Sequence, residues 1–150
     1  MRKRGFEIVK AYEGKGIALP IRKTGSSAGY DIEAAETITL PPQKITVVAT
    51  GVKAYMQNDE YLGVHIRSGL SIKQGLALIN GQGIIDADYY DNPENEGHIM
   101  LAIINHGNAA VEVEKGMRLA QGIFYKYLTI DGDAAGQGQE RQGGMGSTGV

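Results

Sequence analysis

The residues best suited to chemistry lie close together, between Asn80 and Tyr89. Asn80 begins an Asn-Gly turn pair, and its amide offers both a donor and an acceptor, a combination that can read the edge of a nucleobase. Asp86 follows two isoleucines at the end of a hydrophobic run, where a carboxylate can act as a general base. Tyr89 could pack against a sugar ring. The structural alternative makes Asn80 a turn former and Asp86 the residue that ends a strand.

Residue types that bind phosphate follow the strand with the clearest alternation, residues 61–67. Arg67, Ser68 and Gly69 lead from this strand into the one plausible helical turn, residues 70–74. Free N–H groups at the start of a helix favour an anion, and Arg67 and Ser68 would join them. The structural alternative is an ordinary strand-to-helix turn in which Ser68 is the N-cap.

A second candidate phosphate segment, GMRLAQG at residues 116–122, carries Arg118 and Gln121. A spacing of three places these side chains on opposite faces of a regular strand, so both can reach one ligand only if the strand twists or bulges. Upstream, Asp31 lies just inside a predicted strand, after a lead rich in Gly and Ser.

The C-terminal residues 131–150 differ in composition from the rest, because seven of these 20 residues are glycine. Glycine lets backbone N–H groups converge on an anion, and arginine adds a charged fork that fits phosphate. The candidate phosphate-binding residues here are Arg141, Gly146, Ser147 and Thr148. The alternative is a disordered Gly-rich segment. With few apolar side chains to bury, we expect a mobile tail beside a single domain of residues 1–130.

The composition excludes several functional classes. The chain has 150 residues and a net charge of −2, which gives no general attraction to nucleic acid or to an anionic membrane. It has no cysteine, so disulfides, cysteine-ligated metals and cysteine nucleophiles are excluded. No apolar run approaches the roughly 20 residues that span a bilayer, and no signal peptide is visible. We therefore expect a cytoplasmic protein that binds neither nucleic acid nor membrane.

The segments that must position these residues read almost entirely as short strands. Alternating and β-branched runs recur between Phe6 and Ile130, separated by Gly, Pro, Asn or Asp. Residues 76–88 predict a β-hairpin that turns at Asn80, and residues 117–130 predict a long strand. Together these patterns predict an all-β sandwich or barrel.

Taken in chain order, these segments resemble the five motifs of the trimeric deoxyuridine triphosphate nucleotidohydrolases, or dUTPases. The resemblance covers nearly the whole chain, and five motifs in this order are far more specific than any one of them. The matching segments are AGYDI (28–32), RSGL (67–70), GIIDADY (83–89), GMRLAQ (116–121) and RQGGMGSTG (141–149).

The resemblance implies a jelly-roll-like β fold, a homotrimer with three sites at subunit interfaces, and hydrolysis of dUTP to dUMP and pyrophosphate. This activity limits uracil incorporation into DNA and supplies dUMP for thymidylate synthesis. Each site would take the second and fourth motifs from one subunit and the hairpin from another, and the tail of a further subunit would close over the nucleotide. The Mg²⁺ cofactor would bind across the triphosphate without a direct protein ligand, and Asp31 would order its water shell.

The resemblance also assigns roles to single residues. Asp86 would activate the attacking water, Tyr89 would lie beneath the deoxyribose and exclude a 2′-hydroxyl, and Asn80 would read uracil with help from the hairpin backbone. The other residues assigned to the base and sugar are Gly83, Ile84, Ile85, Met100 and Met145. Those assigned to the phosphates or to their support are Arg67, Ser68, Gly69, Arg118, Gln121, Arg141, Gly146, Ser147 and Thr148.

Two departures from the family's pattern matter for function. Met145 stands where the tail usually carries an aromatic residue that stacks on uracil, and a thioether covers a ring less specifically, which predicts weaker closure. The segment from Tyr90 to Gly97 is longer than usual and carries three acidic residues and no basic one. We interpret it as a solvated acidic loop, with binding of a protein partner as the alternative.

Two other functions are compatible with parts of the sequence. A dCTP deaminase of the same fold would need a glutamate to shuttle protons at the base, and residues 76–88 contain none. A dUTP-gated regulatory protein would bind a partner, most plainly through the acidic loop, and the presence of Asp86 would let hydrolysis coexist with that role.

Overall fold

The computed structural model describes residues 1–135 and 140–146. In this part of the chain, strands dominate and the single α-helix, α1 (Ser68–Gln74), is short. The strands are β1 (Gly5–Ile8), β2 (Ile21–Arg22), β3 (Tyr30–Glu33), β4 (Ile38–Leu40), β5 (Ile45–Ala49), β6 (Val52–Tyr55), β7 (Glu60–Ile66), β8 (Leu76–Leu78), β9 (Gly83–Asp86), β10 (Met100–Asn105), β11 (Val111–Val113) and β12 (Arg118–Lys126). Two turns of 3-10 helix span Lys10–Tyr12 and Ala87–Tyr89.

The strands form antiparallel sheets, which confirms the all-β, jelly-roll-like fold expected from the sequence. The largest sheet has the order β2-β3-β12-β7-β9, and a second sheet has the order β5-β10-β8. Strands β1 and β6 pair with each other, as do β4 and β11. Fully buried aliphatic side chains from both larger sheets meet in one core, among them Ile32, Leu62, Leu76, Ile103 and Leu119.

Most predicted strands are confirmed to within a residue or two, but one predicted strand is too long and one structural alternative is excluded. The strand predicted for residues 117–130 ends at Lys126, before the exposed Tyr127 and Leu128. Ser68 is not the N-cap of α1: Arg67 occupies that position, and no side chain caps the helix there. The helix buries only Leu70, so tertiary packing rather than capping holds it in place.

The hairpin predicted for residues 76–88 forms its turn but not its ladder. Gly81 has a positive φ of 78°, and its N–H donates to the carbonyl of Leu78 at 2.9 Å, which closes a turn with Ile79 and Asn80 at its centre. Beyond the turn, the arms separate, because β8 pairs with β10 and β9 pairs with β7. Leu76 and Leu78 are buried in the core. Pairing β8 with β10 therefore buries more apolar surface than pairing it with β9 would.

Within the described residues, no helix is long and apolar enough to cross a membrane.

Candidate active site

A cavity of about 370 Å³ opens where β8 and β9 diverge. Both strands lie at the edge of their sheets, so each turns one row of main-chain N–H and C=O groups toward the gap. The walls are mostly aliphatic, which suits a flat ring, and the main-chain groups can read its polar edge. The lining residues with a predicted role are Asn80, Gly83, Ile84, Ile85, Asp86, Tyr89, Met100, Arg141 and Met145.

Asp86 is the last residue of β9, at the mouth of the cavity, and pairs across the ladder with Tyr61. Half of its side chain is exposed (51%), and its side-chain hydrogen bond in the described part of the chain comes from Arg141 at 2.6 Å. A carboxylate that only held the strand end would be buried among backbone donors. The exposure of Asp86 therefore favours a chemical role over a structural one.

Tyr89 forms part of the cavity wall, with its ring 8% exposed. Its hydroxyl donates to the carbonyl of His98 at 2.7 Å and accepts from the amide of Asn95 at 2.8 Å. Burial raises the pKa of this phenol, so it stays protonated and keeps its donor role at neutral pH. His98 is itself held by a bond from the Gly51 N–H to its ring at 2.8 Å.

The segment from Tyr90 to Gly97 is a compact loop that exposes the acidic side chains of Asp91 and Glu94 and also has a buried framework. Asn92 is buried, and its amide donates to the carbonyl of Tyr89 at 2.7 Å. The ammonium of Lys53, on β6, lies 2.5 Å from Asp91 and 2.7 Å from Glu96. Burial alone would lower the pKa of Lys53, but these two carboxylates raise it above its ordinary value.

Residues 140–146 lie across the mouth of the chain's own cavity. The largely buried guanidinium of Arg141 contacts Asp86 and Asp88 at 2.6 Å each, rather than standing free for phosphate. Met145 lines the cavity with 77% of its surface exposed. Ser147 and Thr148 lie outside the described residues, and closure by the tail of a further subunit stays a prediction for the assembled trimer.

The pairing of β12 is irregular near Arg118, where a twist or bulge is needed if Arg118 and Gln121 are to reach one ligand. The pairing of β12 with β3 shifts register between Arg118 and Ala120, and two adjacent buried residues, Leu119 and Ala120, follow one another there. Arg118 and Gln121 both remain partly exposed on either side of them. This irregularity is what a spacing of three requires if both side chains are to serve one ligand.

The residues predicted to bind phosphate form a second group. The guanidinium of Arg67 donates to the carbonyl of Arg118 at 3.3 Å, and Arg118 in turn lies 3.3 Å from the Asp31 carboxylate. Gln121 pairs with Asp31 across the ladder, and a Cβ on Gly29 would overlap its amide, so the first motif needs glycine at this position. Ser68 and Gly69 begin α1 directly after Arg67.

The two groups of site residues lie at opposite ends of β7. Asp86 is paired with Tyr61, whereas Arg67 follows the last residue of β7, six positions further along the chain. At about 3.3 Å per residue, the two backbones are separated by roughly 20 Å. None of Arg67, Ser68, Gly69, Arg118 and Gln121 lines the cavity. The predicted site residues of one chain therefore fall into two separate groups, or half-sites.

Comparison with known proteins assigns the family. A family model described as dUTPase matches residues 15–149. The chain belongs to the dUTPase family. The deoxyuridine 5′-triphosphate nucleotidohydrolase of Lactococcus lactis is 50% identical over 150 residues, which is 100% of each chain. The enzyme of the same name from Rickettsia felis is 35% identical over 95% of each chain. A crystal structure of the dUTPase from Streptococcus mutans matches with a TM-score of 0.81 and 46% identity, covering 85% of this chain and 99% of that one.

The side chains near the site show which ligands this dUTPase could offer to Mg²⁺. Nowhere in residues 1–135 and 140–146 do three or more His, Asp or Glu side chains gather closely enough to hold a metal ion. Mg²⁺ commonly keeps several waters and binds through one or two carboxylates and the substrate's phosphates. A single carboxylate, Asp31, lies in the phosphate group with 16% of its side chain exposed, and that arrangement fits a metal carried by the nucleotide.

Three residues with evident roles in this dUTPase were not found from the sequence. Asn95 donates to the Tyr89 hydroxyl, Glu94 contacts the tail, and Lys53 pairs with two of the three carboxylates in the loop. The Asn-Pro-Glu-Asn run at residues 92–95 could have indicated an ordered loop, because Asn side chains favour local hydrogen bonds to the backbone. Lys53 left no local signal, since it lies 38 positions from Asp91.

Proposed function

We infer that this dUTPase hydrolyses dUTP to dUMP and pyrophosphate. Membership of the family and the likeness to nucleotidohydrolases across the whole chain support the reaction. The observation that carries the site is the cavity between two edge strands, with Asp86 at its mouth and Tyr89 on its wall. A cavity that fits a nucleobase, beside an exposed carboxylate, suits hydrolysis of a phosphate bond close to a nucleoside.

Recognition of uracil is assigned to the gap between β8 and β9. Asn80 and the main-chain groups of Gly83 and Ile85 offer donors and acceptors to the N3–H and the two carbonyls of uracil. Cytosine presents the wrong pattern to the same groups, and close walls exclude the 5-methyl of thymine. The Tyr89 ring, fixed through its hydroxyl, lies beneath the deoxyribose and leaves no room for a 2′-hydroxyl.

Asp86 is assigned as the general base. It accepts a proton from water, the water oxygen attacks phosphorus at the α–β phosphoanhydride, and pyrophosphate leaves with the electrons of the broken P–O bond. One water is consumed, and its atoms end on dUMP and on the released proton. Arg67, Ser68 and Gln121 hold the phosphates and neutralise charge on their oxygens, which is the main requirement of phosphoryl transfer.

A complete site needs two chains, because the half-sites of one chain are roughly 20 Å apart along β7. The homotrimer typical of the family supplies the second chain. In this arrangement, Asp86 and Tyr89 of one protomer face Arg67 and Gln121 of another. The tail residues Arg141, Gly146, Ser147 and Thr148 are assigned to the outer phosphates.

Mg²⁺ is assigned to the triphosphate, where it neutralises oxygen charge, and Asp31 is assigned to its water shell. The protein alone should therefore bind Mg²⁺ weakly, since it offers one nearby carboxylate that is already paired with Arg118. Calorimetry with Mg²⁺ and the nucleotide-free protein should show no tight binding. Tight binding to the protein alone would contradict this assignment.

Pyrophosphate release, measured with dUTP, dCTP, dTTP and UTP, tests the proposed function. Turnover should be confined to dUTP, because each competitor violates one feature of the cavity. Deamination of dCTP without pyrophosphate release would instead identify the related deaminase. Binding of dUTP without turnover would favour the regulatory protein.

A further inference from the structure

The loop of residues 91–97 is held in shape by hydrogen bonds between its own residues. The side-chain oxygen Oδ1 of Asn92 accepts from the N–H groups of Glu94 and Asn95 at 3.1 Å each, and its side-chain nitrogen Nδ2 donates to Oδ1 of Asn95 at 2.7 Å. Asp91 and Glu96 close the loop at its base by sharing Lys53. These bonds fix the direction in which residues 94 and 95 present their side chains.

Two residues of this loop also contact groups outside it. Asn95 donates to the hydroxyl of Tyr89 at 2.8 Å. Glu94 binds the tail twice: its N–H donates to the carbonyl of Gln142 at 2.9 Å, and its carboxylate accepts from the N–H of Gly144 at 3.2 Å. One loop therefore contacts both the wall of the cavity and the segment that lies across its mouth.

The shape of the tail matches this loop. A Cβ on Gly143 would overlap the carboxylate of Glu94, and a Cβ on Gly144 would collide with the ring of Tyr89. A side chain at residue 144 would have to displace the ring of Tyr89, whereas at residue 143 the flexible end of Glu94 could move aside. The fit of Gly144 against Tyr89 does not depend on the hydrogen bonds of Glu94.

No favourable charge interaction in the described part of the chain explains why residue 94 is acidic. No ion pair to this exposed side chain occurs among the described residues, and it lies beside a site that we assign to a triphosphate. A carboxylate repels phosphate, so a neutral residue would suit that position better unless Glu94 has another task. Holding the N–H of Gly144 is such a task, since charged acceptors make the stronger hydrogen bonds.

We propose that the 91–97 loop is a positioning element, in which Glu94 anchors the tail and Asn95 fixes the Tyr89 ring. Neither residue touches the reacting atoms. The inference rests on the proposed function, because the tail and Tyr89 are taken to enclose dUTP. On this proposal the long loop supports the active site, in place of the partner-binding role that its acidity suggested.

The tail contact is tested with Glu94→Ala, Glu94→Gln and, as a control, Glu114→Ala, which removes an exposed carboxylate elsewhere. Hydrogen–deuterium exchange of residues 140–146 should be fastest in Glu94→Ala and intermediate in Glu94→Gln, because an amide oxygen still accepts from Gly144 but carries no charge. The kcat/KM for dUTP should fall about tenfold in the alanine variant and recover part of that loss in the glutamine variant.

Equal behaviour of the two Glu94 variants, with tighter dUTP binding in both, would mean that only charge matters and would overturn the anchoring role. Unchanged exchange in Glu94→Ala would overturn it as well. Exchange is measured without nucleotide, so it reports on the anchor even if the protein fails to hydrolyse dUTP. The proposed function and the loop's role can therefore fail separately.

The Tyr89 contact is tested with Asn95→Asp, which keeps the oxygen that accepts from Asn92 and Gly97 and removes the donor to the Tyr89 hydroxyl. Asn108→Asp makes the same change at an exposed position and is the control. Loss of this donor should loosen the ring, so the preference for dUTP over UTP should fall about tenfold, while exchange in the tail changes little. Glu94→Ala should show the reverse pattern. Full selectivity in Asn95→Asp would remove this residue from the proposal.

Discussion

Asp86 has the position and exposure that a general base needs. It ends β9 at the mouth of the cavity, and its carboxylate is held only by the guanidinium of Arg141 in the described part of the chain. Asp86→Asn keeps the shape and removes the proton acceptor. Turnover of dUTP should fall by about 10²–10⁴, the usual contribution of a positioned base, and dUTP binding should stay within about tenfold. Pyrophosphate release and calorimetry measure the two effects.

Asp88 provides the matched control for this variant. It shares Arg141 with Asp86, at the same distance of 2.6 Å, but its side chain is 64% exposed and does not line the cavity. Asp88→Asn should therefore keep most activity. An equal loss in both variants would show that Arg141, rather than a base, is what the two carboxylates support. Loss of folding in Asp86→Asn would restore the structural role.

Met145 lies on the cavity wall with a positive φ of 49°, so its backbone already presents the side chain in an uncommon conformation. Met145→Phe keeps that backbone and offers a flat ring to uracil. Aromatic contact adds about 0.5–1.5 kcal/mol beyond area, so the KM for dUTP should fall about two- to tenfold. Steady-state kinetics measure this change, and a higher KM would show that Met145 does not occupy the stacking position.

At the level of elements, local pattern predicted most of the architecture. The alternation of Leu62, Val64 and Ile66 is a property of one strand, and so is the Asn-Gly turn. The partner of a strand is not local. Residues 76–88 contain a correct turn and two correct strands, but the core that draws Leu76 to β10 is built by the whole chain. The cavity follows from that divergence, so the sequence predicted its residues but not its shape.

The tail is an element that contributes to the site and not to the core. Residues 140–146 contact Asp86, Asp88, Tyr89 and Glu94, all at or near the surface of the cavity. Deletion of residues 139–150 should leave the thermal midpoint and the assembly nearly unchanged. Turnover should fall at least tenfold, because closing segments supply donors and exclude bulk water. Unchanged turnover in the truncated protein would remove the tail from the mechanism.

At the scale of the whole molecule, the residues predicted for one site fall into two separate groups within a chain. Sheet order places the hairpin arm and the phosphate group on the same strand, β7, but at its two ends. Motif spacing in the sequence does not fix this separation, since 19 positions between Arg67 and Asp86 allow either a short or a long distance. The separation appears only once the register of β7 with β9 is known.

Mixing two inactive variants tests this division directly. Asp86→Asn removes the base, and Arg67→Ala removes a phosphate ligand, so trimers of either variant alone should be nearly inactive. If each site takes Asp86 from one chain and Arg67 from another, random one-to-one mixing leaves about a quarter of the sites with both residues intact, and about a quarter of the parent activity should return. Differently tagged subunits, refolded together and assayed for pyrophosphate release, measure the recovery. If both residues served one site within a chain, no mixed trimer would contain an intact site and activity would stay at the level of the separate variants.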